Sequence, residues 1–527
     1  MAGAQGSVEQ PRQDAPKPVR RISRIGLVAG PIVALAIYLL LPQQYLDAAG
    51  RATEFTHAGR ATLAMLVWMA VWWMTEAVEI EVTALLPIVA FPLFGVRSVA
   101  ATAAPYASDI VFLFLGGFVL ALAIHRWGLD RRIAFLTLRL VGTTPARLVA
   151  GMLGSTAAVS MWVSNTAAAA MMVPIALAVV NLVLERRTGK SLEPGQPIPV
   201  AQVDERNFAL CLVLSIAYGA SIGGAATLIG SPPNGIAARF IQQTYGIEVT
   251  FVDWLAIGLP LTLLFLPVAW FILAKVVYPS RLGPIEGGRE YLDEQIRRLG
   301  RLSSGEKVTL AVFAVTVFLW VTRPWLGAIR VGGVAPFAGL GDSMIAVGAA
   351  VALFLLPVDR RRGIRAMDWE HAIKLPWGVL ILFGGGLTLA AAVDANGVTG
   401  FLASAASNLG GLPTLLVVLA VVTFSIFATE MTSNTALVSL LLPILAAVAP
   451  ALGVPAQLLL IPCALAASFA FMMPVGTPPN AIVFGSGLVT IPQMCKAGIV
   501  LNIAGVLLVT AMAYFVVVPL IGMRLGG

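Results

Sequence analysis

Ser164-Asn165-Thr166 interrupts an apolar stretch of the chain, and Ser433-Asn434-Thr435 interrupts another one 269 residues later. Gly116 and Gly385, Ser160 and Thr429, and Pro174 and Pro443 repeat at the same spacing. A second motif, Gly230-Ser231-Pro232-Pro233-Asn234, returns as Gly476-Thr477-Pro478-Pro479-Asn480 at an offset of 246. The missing 23 residues match a charged segment, Glu185–Asn207, that only the first copy carries. One structural unit has therefore been duplicated with a single loop insertion.

The solvent for this unit follows from composition. Of 527 residues, 58% are hydrophobic and 11% charged, and the mean hydropathy is +0.90. A soluble chain has roughly 25% charged residues, so this one is lipid-embedded. Ile25–Leu41, Ala61–Met74, Ile110–Ile124 and Val308–Val321 are unalternating apolar runs. In lipid these are helices, which satisfy their own backbone groups, rather than barrel strands with a period of two. The expected fold class is an all-α polytopic membrane protein.

Charge distribution orients it. The net charge of +8 is read as cytoplasmic loop charge under the positive-inside rule. His125–Arg147, Glu185–Asn207, Tyr278–Lys307 and Asp359–Lys374 are the basic segments, while Leu375–Cys495 holds no Lys or Arg. The basic N-terminus, with Arg12, Lys17, Arg20, Arg21 and Arg24, is placed inside as the flank of a retained first helix. Lys496 marks a final inside turn, and Ile499–Leu520 leaves the C-terminus outside. The stretch between the first two basic segments leaves and re-enters on one side, a re-entrant hairpin. The second copy presents its hairpin from the opposite side. Inverted repeats with matching broken segments place a transport site between them.

Each motif has chemistry suited to that place. A hairpin tip frees backbone groups, and the return helix points N–H groups and a positive dipole end at the site, which suits carboxylates. Asn and Thr add neutral donors, while free carbonyls and hydroxyls suit Na⁺. Ser160 and Thr429 sit one turn before the tips and can turn a hydroxyl to the same ion. The bland alternatives are polar glue between helices for Ser-Asn-Thr and back-bonding to a carbonyl for Ser160 and Thr429. Paired prolines stop a helix, and such a break inside lipid is tolerated only beside protein or a cavity. Gly230 and Gly476 permit close backbone approach there, and Ser231 and Thr477 offer hydroxyls. A simple kink is the alternative, and the duplication argues against it. No Lys, Arg or His lies in any of the four motifs. A dianion held there needs a counter-charge, and co-bound Na⁺ supplies it, linking ion and substrate binding.

These motifs resemble those of the divalent anion:sodium symporter family, which includes INDY-type and mammalian sodium–carboxylate transporters. The likeness also rests on Thr429-Glu430 before the second motif, on Trp72-Trp73-x-Thr75-Glu76 and on Thr83-Ala84-Leu85-Leu86-Pro87, and spans about residues 60–520. It implies eleven transmembrane helices and two re-entrant hairpins in a homodimer, with a transport domain moving elevator-like against a scaffold. It implies a first sodium site at Ser160, Ser164, Asn165 and Gly230, and a second at Thr429, Thr432, Asn434 and Gly476. The substrate carboxylates would meet Asn165, Thr166, Ser231, Asn434, Thr435 and Thr477, with Pro478 lining the site. On this reading residues 1–24 are a cytoplasmic terminus and 25–107 scaffold helices. Residues 108–251 are the first repeat, 252–374 scaffold and loops, 375–495 the second repeat and 496–527 the final helix.

The expected function is Na⁺-coupled symport of a C4-dicarboxylate across the inner membrane, with no organic cofactor and no nucleic acid. A sodium-independent exchanger of the same fold, a sulfate or citrate transporter, and a channel are the alternatives. No HExxH, GxSxG or P-loop supports an intramembrane enzyme. Glu79 stands where the family usually has proline. Glu76 and Glu430 are intramembrane acids by sequence, open to a functional role or to a structural one. His57, His125 and His371 are given none, and Cys211, Cys463 and Cys495 are read as reduced packing residues.

Overall fold

The computed structural model describes residues 21–46, 51–188, 203–331, 333–406, 411–517 and 519. Most of the basic N-terminus, the centre of the charged insertion and the C-terminal end lie outside them, so their expected sides of the membrane do too.

The chain is helical. In order come α1 (Arg21–Leu40), a hairpin of β1 (Gln44–Leu46) and β2 (Ala52–Glu54), α2 (His57–Thr75), α3 (Ile80–Leu93) and the short α4 (Val99–Ala103). Then follow α5 (Asp109–Trp127), α6 (Leu129–Val141), α7 (Pro145–Ser160), α8 (Asn165–Thr188), α9 (Val203–Gly224), α10 (Pro232–Tyr245) and α11 (Phe251–Phe271). A surface helix, α12 (Gly288–Leu299), leads into α13 (Ser304–Gly327) and α14 (Asp342–Leu355), then β3 (Pro357–Asp359), β4 (Ile364–Arg365) and α15 (Trp369–Ala372). The remainder is α16 (Trp377–Ala395), α17 (Val398–Ala406), α18 (Thr414–Thr429), α19 (Asn434–Val448), α20 (Gln457–Ala467), α21 (Pro478–Gly485) and α22 (Ile491–Met512).

Among the described residues, eight helical stretches are long and apolar enough to cross a membrane. The two β-ribbons are two-stranded connectors. The expectation of eleven crossings would assign them to α1, α2, α3, α5, α9 with α10, α11, α13, α14, α16, α20 with α21, and α22, leaving α8, one of the eight, to the first hairpin.

Both hairpins form where the motifs placed them. α7 ends at Ser160 and α8 starts at Asn165, while α18 ends at Thr429 and α19 starts at Asn434. The motif serines cap the return helices: Ser164 Oγ accepts from the Ala167 N–H at 3.3 Å, and Ser433 Oγ from that of Ala436 at 3.5 Å. Such caps satisfy one of the orphan donors of a helix start. The paired prolines open α10 and α21 at their first turn, where no donor is needed. The residue before each is extended, Ser231 at φ −140° and Thr477 at φ −141°, as a following proline demands.

The repeat is longer than its motifs. α2–α3 and α13–α14 hold corresponding places, since α5 packs on α14 and α16 on α3. A side chain on Gly116 would collide with the Ala346 backbone, and one on Gly385 with that of Ala84. Even the endings match, because α11 and α22 both widen into a π-turn, over Ile272–Val277 and Ala513–Val517. α1 stands outside the repeat. It lays Ser23, Gly26, Gly30 and Ala34 against α2 and exposes most of the rest, the small-residue face used by packed membrane helices.

The four basic segments meet on one face. Arg132 donates to Glu306 at 2.6 Å, Arg139 pairs with Asp293 at 2.8 Å and Arg126 with Asp368 at 2.7 Å. Asp204 accepts from the Arg281 N–H at 3.1 Å, and Lys496 lies 5.6 Å from the Tyr278 ring centre. Burial pushes the Asp368 carboxyl up, but hydrogen bonds from His371 and the Arg126 charge outweigh it and hold it below the usual range. Both ends of the first hairpin adjoin this face. α16 runs from it to Asn396, which donates to Thr62 near the start of α2 at 3.1 Å. The second hairpin therefore enters from the opposite face.

Candidate functional site

The two hairpins and the two breaks interlock. α10 packs against α19 and α20 of the other repeat, and α21 packs against α8 and α9. Contact is direct at the centre, where Ser231 Oγ and Ser468 Oγ share a hydrogen bond of 3.1 Å. Ser231, Ser468 and Thr477 are buried. The breaks thus face a common interior and not lipid.

Each hairpin carries the same oxygen cluster. Ser160 Oγ lies 2.6 Å from Asn165 Oδ1 and 2.8 Å from the Ala220 carbonyl. Thr429 Oγ1 stands 2.6 Å from Asn434 Oδ1 and 2.9 Å from the Ala467 carbonyl. In the first cluster Asn165 Oδ1 faces only acceptors. If the amide is turned over, its nitrogen donates to Ala220 O at 3.1 Å, Gly230 O at 3.2 Å and Ser160 Oγ at 2.6 Å. An oxygen among oxygens suits a cation, and a nitrogen there seals the same cluster without one. With the amide oxygen turned inward the donor set is neutral and all oxygen, the kind a hard monovalent cation prefers. Close approach makes the cluster possible, since any side chain on Gly224 would strike the Asn165 amide.

Asn234 and Asn480 organise the breaks. Asn234 Nδ2 donates to Gly224 O at 3.0 Å and Thr227 O at 2.8 Å, and Asn480 Nδ2 donates to Ala470 O at 3.0 Å and Met473 O at 2.9 Å. Each pair of carbonyls lies at the helix end or in the unwound chain after it, where helical partners are lost. Both asparagines are fully buried. Their place in the repeated motif was the available signal, although sequence reading gave them no role. Ser468, Tyr218 and Asn502 had no signal beyond being polar in apolar helices.

The other sequence-derived residues divide by position. Asn165, Thr166, Asn434 and Thr435 open the return helices, with Thr166 exposed and Thr435 buried. Thr477 Oγ1 caps α21 by accepting from the Asn480 N–H at 3.3 Å, and Pro478 beside it is exposed. Gly230 and Gly476 sit in the breaks, with Gly230 directly behind the Gly224 carbonyl. Ser164 is engaged as a cap, and the Thr432 hydroxyl points to the Trp73 carbonyl at 3.4 Å. Glu76 is an exposed, left-handed cap of α2, φ 47°, outside the interlocked centre. Glu430 is buried within it. A cleft lined by Asp109, Arg239, Gln242, Glu248 and Asp342 reaches from the face opposite the basic one to Leu228 in the first break.

Two crossed helix breaks, each joined to a hairpin tip inside a polytopic helical protein, define a secondary transporter. The chain belongs to the family described as the sodium:sulfate symporter transmembrane region, whose model matches residues 26–522. It is 37% identical to the sodium-dependent dicarboxylate transporter SdcS of Staphylococcus saprophyticus over 500 residues, 94% of this chain and 92% of that one. SdcS of Staphylococcus aureus is 37% identical over 507 residues, covering 96% and 93%. The fold is similar to that of the Alcanivorax borkumensis YdaH transporter, with a TM-score of 0.52 at 12% identity over 94% of this chain and 99% of that one.

Proposed function

We propose that this protein is a sodium-coupled symporter of C4-dicarboxylates. The observation that carries the reading is the doubled cluster in which Ser160 with Asn165, and Thr429 with Asn434, converge with backbone carbonyls at 2.6–2.9 Å. Relatives of 37% identity named sodium-dependent dicarboxylate transporters support the choice of ion and substrate.

In this reading Na⁺ at the first site is held by Ser160, Asn165, the Gly230 carbonyl and Ser164. At the second it is held by Thr429, Asn434 and the Gly476 carbonyl. The Thr432 hydroxyl is turned away to Trp73, so Thr432 contributes its own carbonyl. Each ion neutralises one carboxylate of the substrate. The carboxylates sit at the N-terminal ends of α8 and α19, where N–H groups and the helix dipole favour negative charge. Asn165, Thr166 and Ser231 serve one carboxylate and Asn434, Thr435 and Thr477 the other, with Pro478 as wall. A buried dianion without the ions costs several kcal/mol, so substrate binds the loaded protein and the two gradients are coupled.

The hairpins and broken helices move as one body against a scaffold of α2, α3, α13 and α14. That carries the site from one face to the other in a homodimer of the inner membrane, basic face in the cytoplasm. The family description favours one other substrate, sulfate. Purified protein in proteoliposomes should take up labelled succinate only with an inward sodium gradient. Sulfate uptake without succinate uptake would overturn the substrate, and equal uptake in choline would overturn the coupling.

A further inference from the structure

The two clusters differ in charge at the link between hairpin tip and break. Met161 and Glu430 are equivalent tip residues, 269 apart, and Thr227 and Met473 are equivalent break residues, 246 apart. In the first repeat the link is neutral, with Thr227 Oγ1 donating to the Met161 carbonyl at 2.5 Å. In the second the direction is reversed and the link is charged, because Glu430 accepts from the break. Its Oε1 takes the N–H groups of Phe471 at 2.7 Å and Met472 at 2.9 Å, and its Oε2 takes that of Met473 at 2.8 Å. Asn502 Nδ2 on α22 adds a fourth bond to Oε1 at 2.7 Å. Tyr218 donates to the Phe471 carbonyl at 2.9 Å, closing the same segment from the first repeat.

Glu430 is 4% exposed, and among the described residues no Lys, Arg or His pairs with it. Four neutral donors position a carboxylate but leave its charge uncompensated, and a buried charge is normally paired or set beside a metal ion. The second cluster is the available partner. Glu430 directly follows Thr429, and its Oε2 lies 3.1 Å from where a side chain on Gly476 would begin. The first cluster has no comparable acid, since Met161 occupies that place.

We propose that Glu430 is a positioning residue that makes the two sodium sites unequal: its charge gives the second site the higher sodium affinity, so that site fills first and the first site fills at higher sodium, ahead of the substrate. The inference rests on the sodium-coupled reading above. Opposite unit charges in adjoining sites at an effective dielectric of about 20 attract strongly enough to separate the two affinities by at least tenfold.

The test is a sodium titration of purified, substrate-free protein, read by tryptophan fluorescence with choline keeping ionic strength constant. Wild type should respond in two phases. Glu430→Gln should shift the tight phase at least tenfold and leave the weak one in place, while Glu430→Asp, which keeps the charge, should retain it within about threefold. A purely structural role would instead lower the thermal midpoint in choline for both variants alike and leave both sodium phases unmoved, and that result would overturn the proposal. Should Glu430→Gln not fold, Thr429→Ala must remove the tight phase and Ser160→Ala the weak one; the reverse assignment would equally overturn it. No sodium response in wild type would overturn the sodium reading itself, and a wild-type response that Glu430→Gln leaves intact would overturn this inference alone.

Discussion

Asn234 and Asn480 show what one side chain does for a broken helix in lipid. A break leaves carbonyls that neither water nor lipid can satisfy, and each asparagine closes two of them with one amide. Replacing either by alanine leaves two buried acceptors unpaired, at about 1–3 kcal/mol for each orphaned group. Asn480→Ala and Asn234→Ala should therefore both lose stability, by roughly 2–6 kcal/mol. Thermal unfolding in detergent checks this, and an unchanged midpoint in both would remove the clamp. Ser160→Ala is a different kind of change. It deletes a hydroxyl from the first cluster, so the weak sodium phase should vanish and uptake should need several-fold more sodium, while the unfolding midpoint falls less than in either asparagine variant because only one carbonyl, that of Ala220, loses its partner.

Among elements, the hairpins and breaks were legible because polar and proline residues are conspicuous in apolar helices. The tips at 161–164 and 430–433 and the helix starts at Pro232 and Pro478 fall where the motifs indicated. The correspondence of α2–α3 with α13–α14 was not legible. Their packing faces are as apolar as the lipid-facing ones, and a membrane helix gains little from distinguishing the two. The roles of Glu76 and Glu430 were equally hidden, since composition cannot tell an exposed cap from a buried carboxylate. Close helix approach does leave a trace in glycine. At Gly385 the Ala84 backbone leaves no room for a side chain, whereas nothing lies within 4 Å of that position on Gly348. Gly385→Leu should thus prevent α16 from seating on α3, costing about 3 kcal/mol or more through overpacking. Gly348→Leu should be tolerated. Yield of monodisperse protein distinguishes them, and equal yields would mean that α3 and α16 separate easily.

For the whole molecule the informative feature is an asymmetry between repeats that are otherwise matched. The first hairpin tip is docked: Trp162 meets Phe313 of α13 edge-on with ring centres 5.0 Å apart, and lies 6.1 Å from Phe251, which stacks on Trp320. At the second tip Met431 is 76% exposed. Matched halves in unmatched surroundings are what one end-state of an alternating cycle requires, because the other state is reached by exchanging the surroundings of the two halves. If the interlocked hairpins and breaks travel as a body past α13, the Trp162–Phe313 contact must open in every cycle. A Trp162→Cys, Phe313→Cys pair, placed in a background lacking Cys211, Cys463 and Cys495, tests this directly. Oxidation should join the pair and stop uptake almost completely, reduction should restore it, and neither single substitution should respond to oxidant. Transport that continues at full rate through a quantitatively cross-linked pair would mean that the tip stays on α13 throughout, and the site would then have to open by movement of the hairpins alone.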